Sequence, residues 1–348
     1  MLGAIIGILS ALVSGLFNGS FAAPMKRMTK WQWENIWLMW AVWALVIVPF
    51  VIAWATVPDL LNVYRQTDSG VLLKTLLLGA GWGAGAITFG VGLYMVGLSL
   101  GYSIIMGVTA VAGALIPMLI FNPDKAATRG GFFIILGMVL TVAGVTLCGR
   151  AGMIKEKEAK AENSNQPNRY KFKWGLLVCL ASGILNSLLN LSFVFGQPIA
   201  ETARESLAEA ALVSFRASNA IWVLTLLGAF VTNLVYCGGC LLVKKTWRNY
   251  SRPQTGIYWF YAFLMGTLWM TGVALYGAGA SNLGKLGATV AWIILMATTV
   301  LIGNLWGVVS GEWKDASPKA HRSMTQGLLL LIGAIVLVSL GNYITGNL

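Results

Sequence analysis

The polar side chains inside the long apolar runs of this sequence are amides and hydroxyls rather than acids or histidines. The first of the amides, Asn18, lies in the stretch SGLFNGSFAAPMKR at 14–27, inside a run that carries no charge from residue 1 to 25. An unpaired amide in hydrocarbon costs several kcal/mol, so each one must bond to a neighbouring helix or line a wet cavity. The other polar residues in such runs are Ser20, Thr88, Asn186, Asn190, Asn219, Asn282 and Asn304.

The residue types in the apolar runs give little support to an enzymatic function. The single histidine, His321, falls in a predicted loop, and no acid lies at the centre of an apolar run, so a catalytic triad or metal cluster cannot be assembled. Cys237 and Cys240 form a CxxC pair, but two ligands are too few for a metal site and packing is the better interpretation. No GxxxxGK[ST] motif for ATP occurs. The sequence therefore predicts no enzyme, no cofactor and no metal.

The remaining inventory suits a neutral, hydroxyl-rich solute such as a sugar. Amides both donate and accept hydrogen bonds, which matches the hydroxyl groups of a sugar. Aromatic side chains such as Trp82, Trp269 and Tyr276 could pack against its apolar face. The alternative for each amide is a hydrogen bond between helices, a common role of Asn in membranes.

The elements that carry these residues are predicted membrane helices. The chain has 348 residues, of which 57% are hydrophobic and 10% charged, whereas soluble domains carry about 25% charged residues. A membrane span needs roughly 20 apolar residues, and a β-barrel would show shorter alternating segments. We predict an all-α integral membrane protein with ten transmembrane helices near 3–25, 35–57, 71–95, 99–121, 131–149, 174–196, 214–243, 256–280, 286–310 and 325–345.

The charge distribution predicts the orientation of the helices. The net charge of +12 does not indicate nucleic-acid binding, because the cations lie between the apolar runs. The loops after odd-numbered spans hold 17 Lys and Arg residues against 7 on the other side. The positive-inside rule puts the first set in the cytoplasm and both termini outside. The polar stretch 151–173 is predicted to be a cytoplasmic linker between two halves, 1–150 and 174–348.

The second half of the chain repeats motifs of the first half. SGLFN at 14–18 matches SGILN at 182–186, and GAGWGAGAITFGVG at 79–92 matches GTLWMTGVALYGAG at 266–279. Each half holds five spans, an odd number, so the repeats must be inverted, as in many secondary transporters that bind substrate near the bilayer midplane. The repeat predicts that a central cavity is lined by Asn18, Trp82, Thr88, Asn186, Asn190, Trp269 and Tyr276.

Three stretches resemble the L-rhamnose–proton symporter family of the drug/metabolite transporter superfamily. The segment APMKRMTKWQWENIW at 23–37 carries that family's basic residues followed by Trp-x-Trp-Glu-x-x-Trp. The glycine-rich segment 79–117 is similar to its third and fourth spans, and Glu312 with Trp313 also matches. The resemblance implies ten spans, termini outside the cell and import of a deoxy sugar with protons through a bacterial inner membrane.

Proton coupling needs a group that changes charge during the transport cycle. Glu34, within the family motif at the start of the second span, is the predicted coupling residue. The alternative is an interfacial carboxylate paired with Lys26, Arg27 or Lys30. Because no carboxylate lies in the middle of any span, a facilitator or exporter of another small polar metabolite stays open as a second function.

Overall fold

The computed structural model describes residues 2–159, 169–207 and 212–346, which are mainly helical, with no strand among them. Ten segments of these described residues are long and apolar enough to cross a membrane, which confirms the predicted number. In chain order the helices are α1 (Leu2–Ser20), α2 (Trp33–Ala41), α3 (Val48–Thr56), α4 (Leu60–Gln66), α5 (Ser69–Val96), α6 (Leu98–Phe121), α7 (Pro123–Ala126), α8 (Arg129–Ala159), α9 (Arg169–Phe195), α10 (Gln197–Leu207), α11 (Val213–Val243), α12 (Gly256–Asn282), α13 (Gly287–Val309) and α14 (Pro318–Gly346).

The bundle has two chemically different ends. The connections that follow α1, α11 and α13 meet at one end, where Lys26 pairs with Glu312 and Trp31 Nε1 donates to Asn249 O over 3.0 Å. We call this the basic end, because the connections after α1 and α11 carry the cations Lys26, Arg27, Lys30, Lys244, Lys245, Arg248 and Arg252. At the opposite end, Asn122 donates to the carbonyl of Lys285 over 3.2 Å and joins the connections after α6 and α12.

The polar stretch between the halves is partly helical. Helix α8 continues to Ala159 and α9 begins at Arg169, so residues 151–159 and 169–173 of the predicted linker are helix. Lys, Glu and Ala are strong helix formers, which extends α8 beyond its apolar part. Residues 160–168 of the predicted linker lie outside the described residues.

Helix α2 passes into α3 through a π-helical segment, Val42–Ile47. Pro49 follows at the start of α3 and cannot donate a backbone hydrogen bond to the carbonyl four residues earlier. A π turn absorbs this local break in the hydrogen-bond ladder, and such turns are frequent at functional sites. The segment packs against α12, where a side chain added at Gly266 would meet Trp43 and the backbone of Ala44.

The helices pack in two corresponding sets. Helix α1 lies against α12 and α13, and α9 lies in the same way against α5 and α6. Helix α5 also packs on α11, as α12 packs on α2 and the π-helical segment, while α8 and α14 pack on each other. At the α5–α11 crossing a side chain at Gly79 would overlap the backbone of Thr225, so glycine permits the close approach.

Serine hydroxyls join the helices at two of these crossings. Ser14 Oγ on α1 donates to Gly272 O on α12 over 2.6 Å. Ser182 Oγ on α9 donates to Gly85 O on α5 over 3.1 Å. Each bond satisfies a hydroxyl away from water and fixes the depth at which the two helices cross. Both serines precede the predicted cavity amides by four residues.

Candidate functional site

A cavity of about 400 Å³ lies between helices α1, α2, α5, α6, α9, α12 and α13. Its volume falls within the range of about 300–1,000 Å³ typical of small-molecule sites. Every residue that lines it is uncharged, and it extends to Phe21 and Ala22 at the basic end. Five of the seven predicted residues line the cavity, namely Asn18, Trp82, Asn186, Trp269 and Tyr276.

The two cavity amides have the same local geometry. Asn18 Nδ2 donates to Ser14 O over 3.2 Å, and Asn186 Nδ2 donates to Ser182 O over 2.8 Å. Each bond returns to the preceding turn of its own helix and fixes the orientation of the side chain. Neither Oδ1 has a hydrogen-bond partner among the described residues, so each amide can accept a hydrogen bond from a molecule in the cavity.

Tryptophan rings form one wall of the cavity. Trp82 from α5 and Trp269 from α12 stack with their ring centroids 5.3 Å apart and an interplanar angle of 17°. Trp40 meets Trp269 edge to face at 5.5 Å, and Trp37 packs on Trp40 at 4.5 Å. Stacked rings present a flat apolar surface with little conformational freedom, which suits the C–H face of a sugar ring.

Thr88 and Asn190, the other two predicted residues, do not line the cavity. The Thr88 hydroxyl donates within its own helix to the carbonyls of Ala84 and Gly85, each over 3.0 Å. Asn190 is fully buried, and its Nδ2 donates to Gly113 O over 2.6 Å. Its Oδ1 accepts a hydrogen bond from the hydroxyl group of Tyr276. Asn190 therefore holds Tyr276, while Tyr276 itself lines the cavity.

Tyr276 and its neighbours separate the cavity from the opposite end. The tyrosine hydroxyl also lies 3.3 Å from Ala288 O, and Trp292 packs edge to face on the tyrosine ring at 5.7 Å. Trp292 Nε1 donates to Thr109 O over 3.1 Å and joins α13 to α6. Beyond this layer a second cavity of about 610 Å³, lined by Ala288 and Phe193 among others, lies at the opposite end. The central cavity thus reaches the basic end and is closed towards the other.

Several cavity residues escape prediction from the sequence. Trp37 lies near a basic loop, where an interfacial tryptophan would also be found, yet it lines the cavity and donates from Nε1 to Asn233 Oδ1 over 3.0 Å. Trp40 follows it by three residues, a spacing that puts both rings on one helical face. Trp292 and Thr109 give no such signal, since each sits in an apolar run whose buried face is set by neighbouring helices.

Glu34 is buried at the basic end, 3% exposed, and lies outside the lining of the central cavity. Its carboxylate forms an ion pair with Lys244 Nζ at 3.4 Å, and accepts a hydrogen bond from Thr246 Oγ1 over 2.9 Å. Its cationic partner therefore comes from the end of α11 rather than from the α1–α2 connection. These bonds join the start of the second span to the end of the seventh.

No metal site accompanies these carboxylates in the described part of the chain. Within the described ranges, no group of three or more His, Cys, Asp or Glu residues stands close enough to hold an ion. Cys237 and Cys240 are free thiols, and Cys237 is buried among apolar side chains of α2 and α11.

The chain matches the family described as L-rhamnose-proton symport protein (RhaT) over residues 1–344. It belongs to this family. Proteins named L-rhamnose-proton symporter from Mannheimia succiniciproducens, Pectobacterium carotovorum and Yersinia pestis are 26%, 27% and 27% identical to it. Each alignment covers 97% of this chain and 98% of the relative. A solved crystal structure shares the fold, with a TM-score of 0.56 at 12% identity and 96% coverage of both chains.

Residues of the family motif meet at the basic end of the symporter fold. Lys26, from the motif after α1, pairs with Glu312, from the matching segment after α13, although 286 positions separate them. Ser310 Oγ lies 3.2 Å from Lys26 Nζ and completes the contact. The lysine hydrogen bond lowers the pKa of Glu312 below its ordinary value, so the carboxyl group is ionised at neutral pH.

Proposed function

We propose that this protein imports L-rhamnose in symport with protons across a bacterial inner membrane. The observation that carries the proposal is the central cavity, which has no charged lining residue and combines free amide oxygens with stacked tryptophans. L-Rhamnose is neutral and carries both hydroxyl groups and a methyl group, so it matches a site of this mixed character. The named function of the bacterial relatives supports the same substrate.

In this proposal the amides and the aromatic wall share the recognition of the sugar. Asn18 and Asn186 accept hydrogen bonds from sugar hydroxyls through their free Oδ1 atoms. Trp82 and Trp269 pack against the apolar ring face, and Tyr276 closes the site towards the opposite end. Thr88 supports its own helix, and Asn190 positions Tyr276 through the hydroxyl bond.

The proposed architecture is a five-plus-five inverted repeat, with halves at 1–150 and 174–348. The Ser14–Gly272 bond has its counterpart in Ser182–Gly85, with each member replaced by its repeat partner. Asn18 and Asn186 then occupy equivalent places four residues further along their helices.

Equivalent helix crossings also support the repeat. A side chain at Gly79 would meet Thr225 of α11, whereas one at its repeat partner Gly266 would meet Trp43 and Ala44 in the second span. The stacked pair Trp82 and Trp269 are repeat partners too, which puts the pseudo-two-fold axis close to their contact.

Alternating access follows from two such halves rocking about the central site. The positive-inside rule assigns the basic end to the cytoplasm and both termini to the periplasm. The cavity reaches Phe21 and Ala22, so the structure corresponds to an inward-facing arrangement in this orientation. The hydrogen bonds of Tyr276 and Trp292 form the periplasmic closure that must open to admit substrate.

Glu34 is the proposed proton-coupling residue. Its ionised form holds Lys244 and Thr246, and so ties the start of the second span to the end of the seventh. Protonation removes the charge that attracts Lys244 and weakens this tie, so proton binding changes how the basic end of the bundle is held. A residue at this position couples protonation to the way the basic end is held together rather than to sugar binding.

Uptake of labelled L-rhamnose into proteoliposomes with an imposed pH gradient tests the transport proposal. Accumulation above empty vesicles that collapses with an uncoupler is expected. The absence of any carboxylate from the cavity lining favours, as a second candidate, a facilitator or exporter. A final level of uptake that is the same with and without the uncoupler would support that candidate. Uptake no greater than that of empty vesicles would rule out rhamnose transport.

The coupling role is tested with Glu34→Gln, which keeps the shape of the side chain and removes its charge. Gradient-driven accumulation should be lost, whereas exchange of labelled for unlabelled sugar in the absence of a gradient should persist. Glu312→Gln is the matched control, because Glu312 is also ion-paired at the basic end. Full accumulation by the Glu34 variant would contradict the assignment.

A further inference from the structure

We propose that the basic end carries a binding site for an anionic phospholipid of the adjoining leaflet. The site combines two neighbouring features that lie outside the central cavity. One is a polar pocket formed by the connection after α11, which we call the headgroup pocket. The other is an apolar groove between α5 and α11 on the outside of the bundle, which we call the chain groove. Lys244 lines both.

The headgroup pocket has a volume of about 290 Å³ and an excess of positive charge. Four cations and one acid, Glu34, line it. The cations are Lys244, Lys245, Arg248 and Arg252. Of these four cations, only Lys244 is paired with an acid in the described part of the chain, and Arg252 donates to the carbonyl of Lys30 over 3.4 Å. Lys245 and Arg248 are therefore the cations best placed to meet an anion. Lys and Arg side chains bind phosphate through charge-assisted hydrogen bonds.

The chain groove has a volume of about 680 Å³ and is lined mainly by small apolar residues. Val235 and Val243 are 72% and 84% exposed on its surface. Gly239 lies in the groove, and a side chain added there would meet no atom within 4 Å. The floor is closed where α5 meets α11, since a side chain at Gly83 would overlap Ala229 and Thr232. The groove therefore offers an apolar surface along which an acyl chain can lie.

The continuity of the two features decides the class of ligand. Lys244 can pack its apolar stem along the groove and carry its ammonium into the headgroup pocket. Arg248 lies 5.5 Å from the ring of the exposed Trp247, a pair suited to the membrane interface. A soluble anion would occupy only the headgroup pocket. Cations that serve only to orient the protein in the membrane would not need an adjoining groove. A phosphate head joined to an apolar tail fills both, and basic pockets beside membrane helices are known to bind such lipids.

Binding of phosphatidylglycerol to the full-length protein tests the site. The delipidated protein in detergent is titrated with phosphatidylglycerol or phosphatidylcholine, and bound lipid is counted by native mass spectrometry. One phosphatidylglycerol should remain bound under conditions that strip phosphatidylcholine. The double variant Lys245→Gln/Arg248→Gln should weaken this binding about 30-fold, from the attraction of two cations to an anionic headgroup. Lys314→Gln/Lys319→Gln makes the same charge change at the same end and should leave it unaltered.

The groove is tested separately from the charges. Val235→Trp and Gly239→Leu each fill it, and either variant should reduce phosphatidylglycerol binding while leaving the melting temperature unchanged. Val336→Trp, at an exposed position of α14, is the control.

Four results would overturn the proposal. The first is equal binding of the two lipids, and the second is an equal effect of the two double variants. The third is displacement of the lipid by inorganic phosphate at matching concentrations, which would indicate a soluble-anion site. The fourth is a dimer that the groove variants dissociate, which would assign the groove to a second copy of the chain.

Discussion

Replacing Asn18 by alanine should weaken sugar binding without a comparable loss of stability. Asn18 Nδ2 donates one hydrogen bond to Ser14 O, and its Oδ1 has no partner among the described residues. A neutral hydrogen bond contributes about 0.5–1.5 kcal/mol net, and 1.4 kcal/mol is a factor of ten in affinity. The loss of one sugar hydrogen bond should therefore raise the dissociation constant for L-rhamnose about 2- to 12-fold.

Asn304→Ala is the matched control for this prediction. Asn304 on α13 is also half-buried and donates from Nδ2 to the carbonyl four residues earlier, Val300 O, over 2.9 Å. It does not line the cavity. Both variants lose the same bond within a helix, so their melting temperatures should fall by similar amounts. Only Asn18→Ala should lose affinity.

Isothermal titration of purified protein with L-rhamnose measures the affinity, and uptake into proteoliposomes measures KM. Asn186→Ala should behave like Asn18→Ala, because the two amides have the same back-bond and the same free oxygen. The double variant should lose about the sum of the two free energies, provided that the amides bind separate hydroxyls. An unchanged dissociation constant in Asn18→Ala would refute the assignment of this amide to the sugar site.

Three further predictions concern the fold, the closure and the pH dependence. Gly79→Leu should abolish folding, since the added side chain overlaps the backbone of α11, whereas Gly238→Leu, with no atom within 4 Å, should keep its yield and melting temperature in detergent. Tyr276→Phe removes a hydroxyl group that holds the closure, so backbone hydrogen exchange at the end of α12 and the start of α13 should become about fivefold faster. An unchanged exchange rate would exclude a role of this hydroxyl in the closure. The pKa of Glu312 is lowered by its bond to Lys26, so its stabilising effect is full above the ordinary value of 4.5 and is lost as pH falls through the lower folded value. Glu312→Gln should therefore melt below the wild type at neutral pH, and the gap should close in acid.

The candidate site could be predicted in part, because a polar group in an apolar helix needs a hydrogen-bond partner or access to water. The cost of burying an amide singles out Asn18, Asn186 and Asn190 in the sequence as residues that need a partner or a cavity. The same reasoning could not distinguish the amides that line a cavity from the amide in a buried network, because both environments can satisfy the hydrogen bonds of an amide. Asn190 holds Tyr276, whereas Asn18 and Asn186 line the cavity and their Oδ1 atoms have no partner among the described residues.

Aromatic residues were harder to assign than amides. A tryptophan near a basic loop fits the membrane interface as well as a binding site, and the sequence does not show that Trp37 lines the cavity. Helical periodicity gives the face on which a ring lies, but several faces of a membrane helix are apolar. Trp292 carries no signal at all in its run, because its role depends on the hydrogen bond from its indole to α6.

The ten spans, the basic end and the family of this protein can be predicted from its sequence. These properties are local, because apolar length, loop charge and short motifs depend on neighbouring residues. Which groups meet across the bundle depends instead on how the helices pack. Glu34 pairs with Lys244 from 210 positions away, and the two tryptophans of the repeat stack on each other. Such contacts depend on the depth and rotation at which helices cross, and these are fixed by close packing between small residues on different helices rather than by any one stretch of sequence.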